Sequence, residues 1–165
     1  MKTKNSQFVN ASAMAPDESC KAGTAGRSIP AAGGVDRIAL PPSEGSGAAF
    51  CWAPPSNYAG GLKVTFYGHK NELGTGNVVP FVACKVIALD AQFVLPENAA
   101  QASATVAVNA GYIFEEVRAE LTPSIEGVWT DGDILSFWIG RLETGDTYSD
   151  TLYLVGAKLE YDIDL

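Results

Sequence analysis

Apolar and polar positions alternate along much of the chain after about residue 35, with turn residues between the runs. In Leu62–Tyr67, for example, every second residue is apolar, which is typical of a half-buried β-strand. The longest alternation is in Thr151–Ile163, where six in-phase residues are predicted to face one side: Tyr153, Val155, Ala157, Leu159, Tyr161 and Ile163. Short runs of this kind, separated by turns, predict an antiparallel sandwich or barrel.

Four more segments are predicted to be strands: Asp36–Leu40, Ala48–Trp52, Val78–Leu89 and Ile134–Leu142. The first two stop at proline pairs, so we expect short strands near a sheet edge. The third is apolar on both faces and should be central, although Pro80 has no amide hydrogen and predicts a bulge or an edge segment there. In the fourth, Leu135, Phe137 and Ile139 share one face and Trp138 lies on the other.

The middle of the chain has a weaker pattern. The alanine-rich stretch Glu97–Ala104 fits a short helix or a loop, and Thr105–Val108 fits a short strand. Tyr112–Leu121 fits a strand if one residue is bulged at Glu115-Glu116, but an apolar residue at every fourth position also fits a helix. The neighbouring strands favour the bulged strand.

The first 34 residues show neither the period of a strand nor that of a helix. They are rich in alanine, glycine and serine, and we expect an extended, flexible arm over residues 1–34 before a folded domain over residues 35–165. The cations of this arm are Lys2, Lys4, Lys21 and Arg27. Against two acidic residues they give residues 1–35 a net charge of +2, so the other 130 residues carry −10.

Composition and charge narrow the class of protein. A chain of 165 residues with 47% apolar and 18% charged residues is large enough for one domain with a full core. The net charge of −8 argues against nucleic-acid binding, which requires an excess of Lys and Arg. The N-terminus lacks the apolar region of a signal peptide and no run is long enough to span a membrane, so we expect synthesis in the cytoplasm and no membrane insertion.

The three cysteines, Cys20, Cys51 and Cys84, have no metal-binding spacing. Buried free thiols are the simplest expectation, because cysteine often behaves as a small apolar residue. A Cys51–Cys84 disulfide is the alternative if the protein meets an oxidising medium.

Residues with catalytic or metal-binding side chains do not form a recognisable set. His69 has no second His or Cys nearby and is expected in an exposed turn. Four aspartates that could surround a calcium ion are explained as turn residues: Asp131, Asp133, Asp146 and Asp150. Glu115, Glu116 and Glu120 are expected on a solvated face. We therefore predict a protein that is not an enzyme and has neither a cofactor nor a metal ion.

Several aromatic residues fit either a core or a sugar-stacking surface. Five are candidates: Trp52, Tyr58, Tyr67, Trp129 and Trp138. Most aromatic residues of a sandwich fill its core or a subunit interface, and we favour that role. If the chain binds sugars, Trp52, Tyr58 and Trp129 are the residues expected to stack on them.

The C-terminal motif resembles a family of tailed-phage structural proteins. The matching residues are 131–141 (DGDILSFWIGR), 146–150 (DTYSD) and 152–161 (LYLVGAKLEY). Further upstream, Phe50, Trp52, the two prolines and residues 58–61 are similar to the family's approach to the Leu62–Tyr67 strand, and residues 76–79 are similar to the start of its next strand. The resemblance covers roughly residues 35–165.

That resemblance implies a jelly-roll β-sandwich of about eight antiparallel strands. It also implies a capsid decoration (cement) protein on the virion surface, a homotrimer whose partner is the major capsid protein. The basic residues of the arm would then bind the shell. The alternative function is an adhesion module on a fibre or knob that binds host-surface glycans.

Overall fold

The computed structural model describes residues 1–16, 26–28, 37–42, 46–88 and 101–165. The described strands, in chain order, are β1 (Lys2–Asn10), β2 (Ala15–Pro16), β3 (Gly26–Ser28), β4 (Arg37–Leu40), β5 (Ser46–Trp52), β6 (Lys63–Lys70), β7 (Gly76–Val78), β8 (Pro80–Ile87), β9 (Gln101–Ser103), β10 (Val106–Val108), β11 (Glu116–Leu121), β12 (Ile125–Glu126), β13 (Ile134–Arg141) and β14 (Leu152–Asp164). One 3-10 turn, Ala11–Ala13, follows β1.

Two sheets contain most of the strands. The first sheet has the order β11-β6-β14-β4-β3, and β1 also pairs with β14. The second sheet has the order β12-β8-β13-β5-β2, and β9 also pairs with β8. All described neighbours in the two sheets are antiparallel except β12 and β8. Strands β7 and β10 form a separate antiparallel pair.

The chain crosses between the two sheets at almost every step. Strands β4, β6, β11 and β14 belong to the first sheet, whereas β5, β8 and β13, which lie between them in sequence, belong to the second. Eight of the described strands have four or more residues. This alternation is the topology of a jelly-roll sandwich and confirms the predicted fold class.

The core lies between the inner faces of the two sheets. Leu135, Phe137 and Ile139 of β13 are fully buried, as the pattern predicts, and Phe137 stacks on Phe50 at 4.8 Å between ring centroids. Trp138 points to the other face and meets the ring of Phe81 edge-on. Burial of these large side chains is the main contribution to the stability of the fold, because removing each one from water stabilises the folded state by about 1.5–3 kcal/mol.

A bulge in β14 changes the predicted side-chain phase of that strand. Its pairing with β6 shifts register between Leu154 and Gly156. Leu154 is fully buried before the bulge and Leu159 is fully buried after it, while Val155 is only partly covered. The prediction that all six alternate positions face one side is therefore wrong for the first two, because the extra residue exchanges the two faces.

Strand boundaries in the middle of the chain also refine the predictions. The predicted strand Val78–Leu89 is interrupted at Val79, and β8 begins at Pro80, which is aligned with Arg141 of β13. The proline therefore starts a strand, where the prediction was a bulge or an edge segment. Strand β11 confirms the strand interpretation of the second half of Tyr112–Leu121, and its pairing with β6 is regular. The first part, 112–114, is exposed and lies outside the strand. Residues 97–100 lie outside the described residues.

The N-terminal segment is a strand over most of its described length. Residues Lys2–Asn10 pair with Asp164–Gly156 of β14, and Ala11 and Met14 are buried in the core. The predicted flexible arm is therefore wrong for these residues, because the C-terminal half of β14 has a free edge whose backbone groups they satisfy. Residues 17–25 and 29–34 of the predicted arm lie outside the described residues.

A buried arginine holds the loop between β13 and β14. Arg141, 1% exposed, donates two hydrogen bonds of 2.6 Å to the carboxylate of Asp146. It also donates to three backbone carbonyls, those of Leu40, Asp150 and Tyr148. All five N–H groups of the guanidinium thus have an acceptor, which is what a fully buried arginine requires.

We expect Arg141→Met to destabilise the fold strongly, by about 3–5 kcal/mol, because the carboxylate of Asp146 would remain buried without its partner. Arg141→Lys should also destabilise it, since an ammonium cannot bond in the forked arrangement. Urea unfolding measures both. Lys63→Met is the matched control, because its ion pair with Glu120 is exposed and should contribute little. Equal stability of Arg141→Met and wild type would contradict this role.

Deleting residues 1–10 tests whether β1 belongs to the fold. We expect the free energy of unfolding to fall by roughly 1–3 kcal/mol. The loss is small because the stabilisation from the backbone hydrogen bonds of β1 is largely offset by the entropy cost of ordering an exposed strand. Gln7→Ala is the smaller companion change and removes the hydrogen bond that Gln7 accepts from Trp52. Unchanged stability after the deletion would restore the interpretation of this segment as a free arm.

Candidate functional site

Four aromatic rings meet at one end of the sandwich. Tyr58 contacts Trp52 at 5.7 Å and Trp129 at 5.2 Å between ring centroids, both edge to face. Tyr161 of β14 lies 4.7 Å from Trp52 and 6.2 Å from Tyr58. The three residues named as sugar-stacking candidates from the sequence are therefore brought together, and Tyr161 joins them.

The rings differ in their exposure. Trp52 is 5% exposed, and its indole N–H donates to Oε1 of Gln7 in β1. It therefore belongs to the core and has no free face for a ligand. Tyr58 and Trp129 are half-buried at the surface, so Tyr58, supported by Trp129, is the part of the cluster that a ligand can reach. Nε1 of Trp129 is buried without a hydrogen-bond partner.

Tyr58 forms one wall of an open groove of about 360 Å³. We call it the apolar groove. Besides Tyr58, its lining residues are Gly60, Gly61, Leu62, Lys63, Thr122, Pro123 and Ile125. Two successive glycines shape it, because Gly60 (φ +92°) and Gly61 (φ +67°) both have left-handed backbones that other residues rarely adopt. The backbone of Asp162 bonds to both Ala59 and Gly60, which fixes the turn against β14.

A second groove of about 380 Å³ adjoins the first and shares Gly61 and Lys63 with it. We call it the charged groove. Besides Gly61 and Lys63, its lining residues are Lys4, Glu120, Glu160, Tyr161 and Asp162. Lys63 donates to Glu120 at 2.7 Å. This hydrogen bond and the charge of Lys63 lower the pKa of Glu120, so the carboxylate stays ionised at neutral pH.

Burial, with repulsion from Cys84 and Asp162, raises the pKa of Tyr58 to about 12. The phenol of Tyr58 is therefore neutral at physiological pH. A neutral phenol ring beside ionised carboxylates offers an apolar face, a hydroxyl and hydrogen-bond acceptors within one surface. Such a surface binds polyhydroxylated rings, whose C–H faces are apolar and whose edges carry hydroxyl groups.

The sequence did not identify the charged groove, because its residues lie on four separate segments. Lys4, Lys63 and Glu160 come from β1, β6 and β14, and only strand pairing makes them neighbours. The available sequence signal was the glycine pair before β6, which indicates a special turn but not a site.

The cations predicted to bind a capsid lie in different places. Lys2 and Lys4 lie in β1, and Nζ of Lys2 donates to the carbonyl of Ala59. Arg27 lies in β3, which pairs with β4, and Lys21 lies outside the described residues. The two lysines of β1 are therefore spread along a docked strand and are not on a free arm.

His69 is not an exposed turn residue. It lies in β6 and stacks on Tyr153 at 5.4 Å between ring centroids. Burial lowers its pKa below the usual range, a hydrogen bond with the Lys70 carbonyl opposes this, and Arg37 adds to it. The prediction was wrong because the strand continues beyond Tyr67.

The acidic residues have mainly structural contacts. Asp133 accepts two hydrogen bonds from Thr130 in the turn before β13, as expected for a turn residue. Asp146, in contrast, forms the buried pair with Arg141. Glu115 is not simply solvated, because it forms an ion pair with the fully buried Lys70. Among the described residues, no group of three or more His, Cys, Asp or Glu side chains is placed to hold a metal ion.

The proposed Cys51–Cys84 disulfide is absent, and both thiols are free. The strands explain why. Cys51 pairs with Ser136 and Cys84 pairs with Phe137, on opposite edges of β13. Successive residues of a strand point to opposite faces, so the two sulfur atoms lie on different sides of the sheet. Cys84 is buried as expected and Cys51 is exposed, while Cys20 lies outside the described residues.

Labelling tests these thiols. In a Cys20→Ser variant we expect native protein to take up one maleimide per chain, at Cys51, and denatured protein to take up two. Burial raises the pKa of Cys84 to about 12, so it has almost no thiolate in the folded state. The comparison is native against denatured protein at pH 8, read by mass spectrometry. Thiols that appear only after reduction would contradict the free-cysteine assignment.

No protein-family model and no curated protein matches the chain. Among solved structures, an arabinose-bound α-L-arabinofuranosidase matches with a TM-score of 0.50 and 11% identity over 94% of this chain. The chain corresponds to 24% of the length of that protein. At this identity the likeness is one of fold, and it agrees with the jelly-roll topology.

Two carbohydrate-binding modules match at lower similarity. A family 11 module from Clostridium thermocellum, in complex with a mixed-linked tetrasaccharide, has a TM-score of 0.39 and 10% identity. The match covers 96% of this chain and 82% of the module. The module TmCBM61, in complex with β-1,4-galactotriose, has a TM-score of 0.36 and 10% identity, and covers 96% of this chain and 87% of that one.

In the part of the chain that the structure describes, no helix is long and apolar enough to cross a membrane.

Proposed function

We propose that this protein is a saccharide-binding β-sandwich module that acts by binding and not by catalysis. The observation that carries the proposal is the apolar groove of about 360 Å³ beside Tyr58, which adjoins the charged groove through Gly61 and Lys63. A sugar ring would lie against Tyr58. Its hydroxyl groups would bond to the carboxylates and to Lys63.

The grooves fit a saccharide better than a hydrophobic ligand. The apolar groove is open and shallow, and charged side chains line the adjoining surface. Lys63 and Glu120 bond to each other across the rim, so their side chains are partly ordered before a ligand arrives. Preordered polar groups beside a rigid ring lose little entropy on binding.

The setting we propose is attachment to a host surface, with the module carried on a phage fibre or knob. Such a module needs only modest affinity per copy, because several copies on one particle bind together.

Capsid decoration was the leading expectation from the sequence, with the major capsid protein as partner, a homotrimer and a virion location. That expectation came from the resemblance of the C-terminal motif, and it assigned attachment to a free basic arm. Lys2 and Lys4 instead lie in a strand that pairs with β14, so these two residues are not part of a free arm. The decoration role stays a prediction without a specific observation in its favour.

A glycan array followed by calorimetry on the best ligand tests the proposal. We expect hits, and we expect Tyr58→Ala to weaken binding at least tenfold, about 1.4 kcal/mol, by removing the stacking ring. Glu120→Gln should weaken binding without affecting the fold, because the side chain is exposed. Tyr112→Ala is the matched control, since Tyr112 is an exposed aromatic residue outside both grooves and should not alter affinity.

An array without hits would contradict the proposal. So would a ligand that binds Tyr58→Ala and Glu120→Gln as tightly as it binds wild type. Since Tyr58 packs on Trp52 and Trp129, its variant requires a thermal unfolding check. If Tyr58→Ala is unfolded, Glu120→Gln alone decides the outcome.

A further inference from the structure

A second surface lies on the outer face of the first sheet, beyond the charged groove. Strand pairing places Tyr67 of β6 between Gly156 of β14 and Arg118 of β11. Two residues further along β6, His69 is aligned with Tyr153 of β14. Residues two apart on a strand point the same way and lie about 7 Å apart, so the face carries two adjacent rows.

Aromatic rings cover both rows. In the first row Phe8 of β1 meets Tyr67 edge-on at 5.7 Å between ring centroids. Gly156 allows this approach, because a Cβ there would lie 2.7 Å from Cζ of Phe8. In the second row His69 stacks on Tyr153, and Phe114 lies 6.4 Å from His69.

Parts of these rings are open to solvent. Phe8 is 46% exposed and Phe114 is 74% exposed. Both therefore present apolar surface at the edges of the face, while Tyr67, His69 and Tyr153 are half-buried between them. We call these five rings the aromatic face.

Two guanidinium groups lie on the aromatic face. That of Arg37 is 4.2 Å from the centroid of Tyr153, and that of Arg118 is 5.3 Å from the centroid of Tyr67. Neither arginine forms an ion pair with a described residue, and Nε of Arg37 is buried without a hydrogen-bond partner in the same described part of the chain. Planar N–H donors held on a ring are well placed to bind a carboxylate.

Among the residues that the structure describes, the other charged groups of this face do not cancel the two arginines. Glu116 is aligned with His69 and is exposed. Glu120 and Glu160, closer to the charged groove, are paired with Lys63 and Lys158. Since burial lowers the pKa of His69, the imidazole is neutral at pH 7 and adds no charge. The face therefore has local positive charge on a protein whose net charge is −8.

We infer that the aromatic face binds an acidic saccharide, whose rings lie against the exposed rings of Phe8 and Phe114 and whose carboxylates bond to Arg118 and Arg37. This inference rests on the proposed function, since it adds a second surface and a ligand class to a saccharide-binding module. A nucleic acid fits poorly, because two arginines cannot offset the repulsion from an acidic body.

The test uses ligand pairs that differ only in charge. Titrations of wild type with oligogalacturonate and with its methyl ester, and with sialyllactose and with its methyl ester, isolate the carboxylate. We expect at least one acidic ligand to bind tenfold or more tightly than its neutral partner. The preference should decrease with added salt, because the carboxylate and guanidinium groups are near solvent.

Variants locate the site. Arg118→Met and Arg37→Met should each remove most of the preference for the acidic ligand, about tenfold or more per charge-assisted hydrogen bond lost. Arg118→Lys should restore only part of it. Phe114→Ser, at a highly exposed position, should weaken binding while leaving thermal unfolding unchanged. Lys85→Met, which removes a positive charge from β8 in the second sheet, should leave the preference in place.

The outcomes separate the two proposals. Equal affinity for the acidic and neutral members of both pairs overturns this inference, while neutral ligands that bind through Tyr58 still support the proposed function. An acidic preference lost in Lys63→Met, in the charged groove, but kept in Arg118→Met and Arg37→Met also overturns it. An acidic preference lost in the arginine variants, with their folds intact, supports it even if Tyr58→Ala has no effect.

Discussion

The hydrogen bonds of the buried Arg141 are the interaction on which the loop between β13 and β14 depends. Its guanidinium bonds to Asp146 and to carbonyls of the loop before β14, and it also bonds to the carbonyl of Leu40 in β4, which is distant in sequence. Asp146 also accepts from the amide of Val79, which connects this loop to the start of β8. The C-terminal motif of residues 131–161 includes both Arg141 and Asp146, and the structure gives that motif a physical role in closing the fold.

Strand β14 is the second organising element, because it is long enough to serve two partners along one edge. Its first residues pair with β4 and its last nine with β1, while β6 occupies the other edge. The bulge at Val155 lies near the change of partner and exchanges the two faces of the strand. It allows Leu154 and Leu159 both to reach the core. It also places Gly156 where the ring of Phe8 can pass over it and contact Tyr67.

Both candidate binding surfaces follow from this arrangement. The grooves beside Tyr58 form where the glycine turn before β6 is bonded to the end of β14. The aromatic face forms where β1, β14, β6 and β11 lie side by side, which aligns Phe8, Tyr67 and Arg118. Docking of β1 contributes to both, since Lys4 lines the charged groove and Phe8 belongs to the aromatic face. The segment expected to act as a free arm is thus part of the surface we propose as functional.

The sequence by itself determined the fold class, most strand positions and the buried face of β13, because alternation and turn residues act locally. It also named Tyr58 and Trp129, although only as one choice between core and ligand surface. The tertiary structure decided which rings are reachable, that Trp52 is in the core, and that Cys51 and Cys84 lie on opposite faces. Strand β1 pairs with the free edge of β14, and the weak sequence pattern of β1 could not predict this pairing. Pairing partners and exposure depend on distant segments, and local periodicity contains no record of them.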